Sequence, residues 1–456
     1  MHPIFRSLGT VALVLCTLYS AHADTPVYRS TWVINKIYNH NHPLAAQRPN
    51  ELASKIAKMQ MSPTAFYNAT AHLFFEDMNS WKPSAYTSYA TGNTWISGDM
   101  QLGSMGATRD AAGNFVFDTI QFDEGYWGQY VWDVRRMAVS IVLAAKENGL
   151  SNTNQDQLVR EFVDAYLSTM EDFRSSNEEK HFRLTANTTT NHIHELIKKS
   201  AGKTRLQFLA ANTTVAAGNR KFINGRGTSK PSNTDYTAIQ AAMADYIYTI
   251  ALSKRFDPLY YKVKDIRTQS GTSIGNMGRK HYDVLIQGIS TSTDDDVILE
   301  LTQQNTSAVA IASKDAMPTW AYENHEGQRA ARTMQAAQPL ADALTGWTTL
   351  YNMPYLVREK SPYTTRLDAA SLKTYSKFSG SVQYIGKILA KNHAVSDKDH
   401  NPALSPYNID KEIADIVTNK TGFKDEITEF AKQYSQQVQW DWTAFVEAGK
   451  AGVALY

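Results

Sequence analysis

The stretch that decides the fold reads GDMQLGSMG at residues 98–106, FDTIQFDE at 117–124 and WDVRR at 132–136. Asp99 directly follows a glycine, and glycine permits the backbone torsions that a tight loop requires. Strand-like runs lie on both sides of this loop, at 94–97 and 115–122. The stretch therefore predicts a carboxylate held on a loop between two strands, where functional side chains are often found.

Three carboxylates lie on or just after the second run: Asp118, Asp123 and Glu124. Carboxylates so close together repel one another unless a positive charge lies nearby. A divalent metal ion could supply that charge, and so could an arginine. In the second case Asp123 and Glu124 would pair with Arg135 or Arg136. The residues alone leave both explanations open.

The composition describes a large, nearly neutral chain. It has 456 residues with a formal net charge of +2, and 43% of them are hydrophobic. A chain of this length can bury a substantial core, and its balanced charge argues against binding to nucleic acid or to an anionic membrane. We expect a soluble folded protein whose partner is a small molecule or another protein, with no membrane span after residue 23.

Residues 1–23 have the pattern of a cleavable signal peptide. Arg6 precedes an apolar run at 8–18, and small residues stand at Ala21 and Ala23. An uncleaved N-terminal anchor is the alternative, although the residues that follow are polar. We therefore expect an exported protein, periplasmic or secreted. Cleavage would also remove the single cysteine, so we expect no internal disulfide.

The rest of the chain predicts a mostly helical α+β fold. Apolar residues recur at helical spacing most clearly around Leu158, in the range 153–173, and also in six further segments, 49–79, 129–148, 234–254, 326–345, 369–395 and 408–449. Strand-like runs are fewer, at 94–97, 115–122, 282–287, 297–303 and 355–358. The loop 288–296 indicates a hairpin. The polar segment 175–233 is expected to be a long connection.

A series of motifs follows in a specific order along the chain. They are Ser62-Pro63-x-x-Phe66, the stretches already quoted, Gly275-x-x-Gly278, Gly327-Gln328-Arg329, Tyr355-Leu356-Val357-Arg358, Leu389-Ala390-Lys391-x-His393 and Trp440-Asp441-Trp442. In this order they resemble the bacterial domain-of-unknown-function family 2252 over nearly the whole chain after residue 23. Each motif is weak by itself, but the ordered set is specific.

That family is distantly similar to protein kinases and aminoglycoside phosphotransferases. The resemblance implies a two-lobed kinase-like fold in which the catalytic-type loops precede the glycine-rich-loop lobe. It divides residues 24–456 of this single unit into a catalytic-loop portion, a polar connection with a helix, a small sheet-bearing lobe and C-terminal helices. These parts span 24–175, 176–254, 255–360 and 361–456.

The resemblance also implies roles for individual residues. Asp99 and Asp123 would be catalytic, and Asp118 and Glu124 would join Asp123 in holding a metal ion. A further set would bind the cofactor: Gly275, Gly278, Arg329 and Arg358. In such enzymes these groups position a phosphoryl group and neutralise its charge during transfer.

Five substitutions depart from the family pattern. Gln101 and Ser104 replace a histidine and an asparagine of the loop, and Gln121 replaces a metal-binding aspartate. Thr302 stands where a strand lysine is expected, and Asn68 replaces an arginine. Because these changes remove an anionic ligand and a fixed cation, we expect a degenerate fold that acts in ligand binding or protein interaction. The alternative is an active phosphotransferase that uses ATP with Mg²⁺ or Mn²⁺ on an unknown acceptor.

Overall fold

The computed structural model describes residues 26–456 except 224, 226, 272, 314–316 and 318. The proposed signal peptide at 1–23 lies outside the described residues. Helices account for about half of the described chain, and every sheet in it is antiparallel. The α+β class is therefore confirmed.

The helices, in chain order, are α1 (Pro26–Ala45), α2 (Pro49–Met59), α3 (Pro63–Ala69), α4 (Ala71–Met78), α5 (Tyr130–Glu147), α6 (Asn152–Phe173), α7 (Asn191–Ala201), α8 (Arg205–Asn212), α9 (Asn233–Thr249), α10 (Val309–Ala312), α11 (Thr319–Tyr322), α12 (Glu326–Ala337), α13 (Tyr375–Val395), α14 (Ile409–Ile416) and α15 (Lys420–Lys450). Several begin at a side-chain cap. Ser62, for example, accepts a hydrogen bond from the backbone N–H of Ala65, and Pro63 at the first helical position fits the start of α3.

The strands are β1 (Thr94–Ile96), β2 (Met105–Arg109), β3 (Phe115–Thr119), β4 (Tyr126–Gly128), β5 (Thr213–Ala216), β6 (Asn219–Phe222), β7 (Thr228–Ser229), β8 (Val263–Gln269), β9 (His281–Ile286), β10 (Val297–Gln303), β11 (Gly346–Leu350), β12 (Met353–Glu359) and β13 (Thr365–Arg366). The largest sheet has the order β11-β12-β10-β9-β8-β7. Strand β13 adds to the β2–β3 hairpin, β1 pairs with β4, and β5 pairs with β6.

The two faces of the large sheet have different chemistry. Leu299 and Leu301 of β10 point to a buried apolar cluster that includes Tyr246 of α9. Side chains alternate along a strand, so Glu300 and Thr302 belong to the opposite face. Glu300 lies opposite Arg358 of β12 there and accepts a hydrogen bond from its Nε at 2.6 Å. This ion pair therefore lies on the face of the sheet that is turned away from the apolar cluster.

The helical body forms the main core. Helix α5 is buried along nearly its whole length and packs against α6 and α15, while α13 packs along α6. The aromatic residues Trp127, Tyr130 and Trp132 are all part of this core. No helix in the described part of the chain combines the length and apolar character needed to cross a bilayer.

The two ends of the chain meet in this body. Helix α1 packs against α15. Arg29 of α1 donates to Asp77 of α4 at 2.6 Å and to Asp441 of α15 at 2.6 Å. The C-terminal segment also reaches α1, because Asn41 Nδ2 donates to the backbone oxygen of Leu455 at 3.4 Å.

Most predicted elements are confirmed, with two differences. The segment 175–233 is not a simple connection, because it contains α7, α8 and the β5–β6 hairpin. Its apolar residues are few, but Ile193, Leu196 and Ile197 have helical spacing and are buried. Helix α12 ends at Ala337, eight residues before the predicted end. A proline follows Gln338, and the residue before a proline disfavours helical torsions.

Candidate functional site

A buried carboxylate of α5 holds the loop after β1 in place by hydrogen bonds. Asp133 accepts hydrogen bonds from the backbone N–H groups of Ser97 at 2.7 Å and Gly98 at 2.9 Å. Gly98 has φ +74°, and a Cβ atom there would lie 2.2 Å from the backbone oxygen of Glu124. Only glycine fits this approach. The loop that carries Asp99 is thus fixed directly against the segment that carries Glu124.

Asp99 is neutralised within the protein. Its Oδ1 accepts a hydrogen bond from Nη2 of Arg136 at 2.5 Å, and its Oδ2 accepts one from Nε2 of Gln101 at 2.9 Å. Arg136 is fully buried and lies over the ring of Tyr67, 4.4 Å from its centroid. Burial raises the pKa of Asp99, although Arg136 opposes the shift.

Asp123 follows β3 and is held ionised. Its Oδ1 accepts a hydrogen bond from Nε2 of Gln304 at 3.0 Å. Burial by itself would raise the pKa of Asp123, but the guanidinium groups of Arg358 and Arg279 lower it below the usual value. Arg358, a predicted cofactor-binding residue, therefore lies close enough to influence a predicted catalytic one.

Glu124 has two internal partners. Its Oε1 accepts from Nη2 of Arg279 at 2.8 Å, and its Oε2 accepts from the backbone N–H of Ala308 at 2.7 Å. The pairing of Asp123 and Glu124 with Arg135 or Arg136 is not found. Arg135 pairs instead with Glu426 at 3.0 Å.

Arg329 of α12 holds the segment around Asp123 from the other side. Its guanidinium donates to the backbone oxygens of Gly125, Asp123 and Asn305, the last two at 2.9 and 3.2 Å, and to the side chain of Glu326. The side chain is fully buried. Each of its nitrogens is therefore occupied by a group of the protein itself.

Asp118 does not lie with the other predicted metal ligands. Its Oδ2 accepts from Nζ of Lys391 at 2.7 Å, and it lines a different cavity from Asp123 and Glu124. Burial lowers the pKa of Lys391. Within the described residues, no group of three or more His, Cys, Asp and Glu side chains is arranged to hold a metal ion. The three carboxylates do not form one shared site.

The glycine-rich segment lies opposite these carboxylates. Gly275 and Gly278 stand between β8 and β9. Gly278 has φ +95°, and a Cβ there would meet Leu52 at 2.7 Å, so a larger residue would disturb α2. Gly275 lines a cavity of about 190 Å³ together with Asp99, Asp123 and Glu124. We call this cavity the front cavity.

Thr302 occupies the position of the expected strand lysine. Its Oγ1 lies 3.3 Å from Nδ1 of His281, its partner in β9. Burial lowers the pKa of His281, which favours the neutral ring. A hydroxyl and a neutral imidazole therefore stand where a fixed positive charge was expected.

A buried lysine lies near the site on a different helix. Lys55 of α2 is 1% exposed and donates to Oδ1 of Asn41 at 2.9 Å. Burial lowers its pKa to about 7; Arg279 also lowers it, and Glu124 opposes the shift. An isolated lysine in a helical pattern is normally exposed, so the sequence gives no signal for this residue.

Most partners of the carboxylates were not predicted from the sequence either. Arg279 directly follows Gly278, and Gln304 follows β10, so both are adjacent to predicted elements. Arg136 is part of the quoted WDVRR stretch. Sequence motifs could have identified these residues but could not have shown which carboxylate each one contacts.

Comparisons with known proteins agree with the resemblance. Residues 47–448 match a family model described as an uncharacterized protein conserved in bacteria, DUF2252. No curated protein and no solved structure matches the chain.

Proposed function

Since the chain belongs to the bacterial family DUF2252, we propose that it is a non-catalytic binding protein built on a kinase-like two-lobed scaffold. In this proposal the large sheet and the helical body are the two lobes. Internal ion pairs occupy the positions that would bind a metal ion and transfer a phosphoryl group. Export of the protein remains a prediction from residues 1–23.

The arrangement around the front cavity supports a kinase-like scaffold. A glycine-containing segment between the antiparallel strands β8 and β9 faces the loop of Asp99 and the strand end that carries Asp123. In phosphotransferases of this kind, such a segment covers the phosphates while the two acidic segments hold a base and metal ions. Here the acidic segments come first in the chain.

The neutralised carboxylates carry the proposal. Asp99 pairs with Arg136, Glu124 pairs with Arg279, and Asp123 lies near Arg358. A divalent ion would have to displace a buried guanidinium group, and breaking one partner out of a buried ion pair is strongly unfavourable. The carboxylates are therefore better suited to holding the loops in place than to binding a metal ion.

Two further features argue against phosphotransfer. The front cavity, at about 190 Å³, is smaller than the roughly 300–1,000 Å³ typical of small-molecule sites. Gln121, which lines it, is neutral where the family pattern has an acidic metal ligand. The alternative, an active phosphotransferase that uses ATP with Mg²⁺ or Mn²⁺, would need this cavity to open and its ion pairs to separate.

The decisive experiment measures nucleotide turnover. Purified protein with ATP and Mg²⁺ or Mn²⁺ is expected to release no ADP above the background given by the variant Asp99→Asn. Asp425→Asn is the matched control, because Asp425 also pairs with an arginine, Arg160 at 2.5 Å, but on the surface. Metal-dependent turnover that Asp99→Asn abolishes and Asp425→Asn preserves would show that the protein is an active enzyme.

A further inference from the structure

A second cavity, of about 570 Å³, has only Arg366 in common with the front cavity. Its walls come from the β2–β3 hairpin, the end of α12 and the linker that follows β12. We call it the large cavity. Its volume lies within the range of roughly 300–1,000 Å³ that is typical of sites for small organic ligands.

Seven basic side chains line the large cavity, and five of them have a carboxylate partner. Four of these partners also line the cavity, in the pairs Arg183–Asp110 at 3.6 Å, Lys391–Asp118 at 2.7 Å, Arg358–Glu300 at 2.6 Å and Arg205–Glu359 at 2.8 Å. Lys360 pairs with Asp283 at 2.7 Å. The lining is therefore largely neutralised, with the exception of two arginines.

Arg109 and Arg366 are the two exceptions. Among the residues that the structure describes, each donates a hydrogen bond only to a backbone oxygen, Arg109 to Gly113 at 3.1 Å and Arg366 to Gly103 at 3.2 Å. Neither guanidinium has a carboxylate in an ion pair. Each one retains further N–H donors, and the guanidinium fork matches a carboxylate or a phosphate group.

The fifth acidic residue of the lining, Asp342, is already satisfied by the backbone. It accepts from the N–H groups of Leu344 at 3.0 Å and Glu359 at 2.8 Å. Burial raises its pKa, and burial also raises the pKa of Glu359 to about 7. These two carboxyl groups therefore repel an incoming anion less than exposed carboxylates would.

The remaining wall is apolar and aromatic. Phe256 and Tyr260 stack on one another with ring centroids 4.2 Å apart, and both line the cavity. Tyr363 lines it as well and lies beneath the guanidinium of Arg109, 5.4 Å from the ring centroid. A flat apolar body could pack against such a wall while an attached anionic group reached the arginines.

We propose that the large cavity binds an organic anion, with an aromatic or apolar body against Phe256 and Tyr260 and a carboxylate or phosphate group at Arg109 or Arg366. The inference depends on the proposed function only in that it treats the protein as a binder. It requires neither ATP nor a divalent ion. The proposed ligand lies outside the front cavity, although Arg366 lines both cavities.

Isothermal titration calorimetry on the full chain tests the proposal with four probes in the absence of divalent ions. 1-Naphthyl phosphate and 1-naphthoate carry both an aromatic body and an anionic group, and their relative affinities identify the preferred group. Inorganic phosphate supplies the charge alone, and 1-naphthalenemethanol supplies the ring alone. We expect one of the two naphthyl anions to bind more tightly than both partial probes.

Variants locate the binding site. Arg109→Gln or Arg366→Gln, whichever residue holds the anionic group, should weaken binding of the preferred anion by about tenfold, since the change removes a charge-assisted hydrogen bond. Gln121→Ala, in the front cavity, and Arg160→Gln, on the surface of α6, should leave binding unchanged.

Three outcomes would overturn the inference: no binding of either anion, equal binding of the uncharged probe, or anion binding that both arginine variants preserve. Failure of the proposed function would be a different result, namely metal-dependent ATP turnover that requires Asp99. The two failures can therefore be distinguished.

Discussion

Lys55 shows how strongly one residue can oppose folding. Its ammonium group is buried with a single hydrogen-bond partner, and burial lowers its pKa to about 7. The unfolded chain therefore binds this proton more tightly between pH 7 and about 10.4. Lys55→Met should stabilise the protein by roughly 2–4 kcal/mol at pH 7 and below. The gain should shrink as the pH rises toward 10, because the unfolded chain then also loses this proton.

Chemical denaturation at pH 6, 8 and 9.5 measures this change. Lys58→Met is the matched control, since Lys58 lies on the same helix with an exposed side chain. It should have little effect at any pH. A loss of stability in Lys55→Met at pH 6 would indicate that the buried charge contributes favourably, for instance through its attraction to Glu124.

At the scale of elements, Arg329 connects α12 to two loops. Its guanidinium satisfies backbone oxygens of Asp123, Gly125 and Asn305, none of which belongs to α12. Arg329→Met should destabilise the protein by about 3–5 kcal/mol, because it leaves buried acceptors and Glu326 without their partner. Arg329→Lys should recover only part of the loss, since an ammonium group cannot reproduce the planar fork.

Urea unfolding of these variants tests the connection. Arg332→Met on the same helix provides the comparison, because Arg332 only stacks over Trp347 at 5.5 Å and bonds Gln335 at 3.4 Å. Its effect should stay below about 1 kcal/mol. Equal effects of Arg329→Met and Arg332→Met would mean that the hydrogen bonds from Arg329 to the two loops contribute little to stability.

The elements predicted best from sequence are those with an unbroken apolar pattern. Strand β10 was predicted with its correct bounds, because most of its residues are buried and strand-forming. Helix α6 has a clear apolar stripe and was also found. Strands β2 and β8 were missed, since MGATR and VKDIRTQ contain too few apolar residues to give a period. Pairing with neighbouring strands determines their conformation more than their own residues do.

The sequence predicted the acidic and glycine residues of the site, but not the arginines that pair with its carboxylates. The loop of Asp99, the strand end at Asp123 and Gly275 do line one cavity, but Gly278 is not among its lining residues. The arginines that neutralise the carboxylates come from distant positions: Arg136 is 37 residues from Asp99, and Arg279 is 155 residues from Glu124. Residue spacing contains no information about such contacts. Asp118 was grouped with its sequence neighbours. It lies on β3, however, and its side chain accepts a hydrogen bond from Lys391.

At the scale of the whole molecule, one group of acids sets the pH dependence of stability. Glu179, Asp397 and Asp410 are all buried, and none has an ion-pair partner among the described residues. Burial raises the pKa of Glu179 and of Asp397 to about 7, and that of Asp410 to about 6. The folded state thus binds protons that the unfolded chain releases above pH 4, so these groups stabilise the protein as the pH falls from 8 to 5.

Asp397→Asn isolates this contribution. The amide mimics the protonated acid, so the melting temperature should rise by a few degrees at pH 8 and change little at pH 5. Buried His72, whose pKa burial lowers to about 3, acts in the opposite direction but equally in both proteins. Differential scanning calorimetry of both proteins measures the difference, and Asp245→Asn, at an exposed position of α9, is the control. A variant that is less stable at pH 8 would refute the interpretation.

The meeting of α1 with α15 has a consequence for how the chain acquires its structure. Helix α1 packs against α15, so the helical body is complete only after α15 has been synthesised. Strand β13 likewise pairs with β2, although about 260 residues separate them in the chain. Early segments therefore lack their permanent neighbours during most of synthesis. The helical body can be completed only after the ribosome has synthesised almost the entire polypeptide.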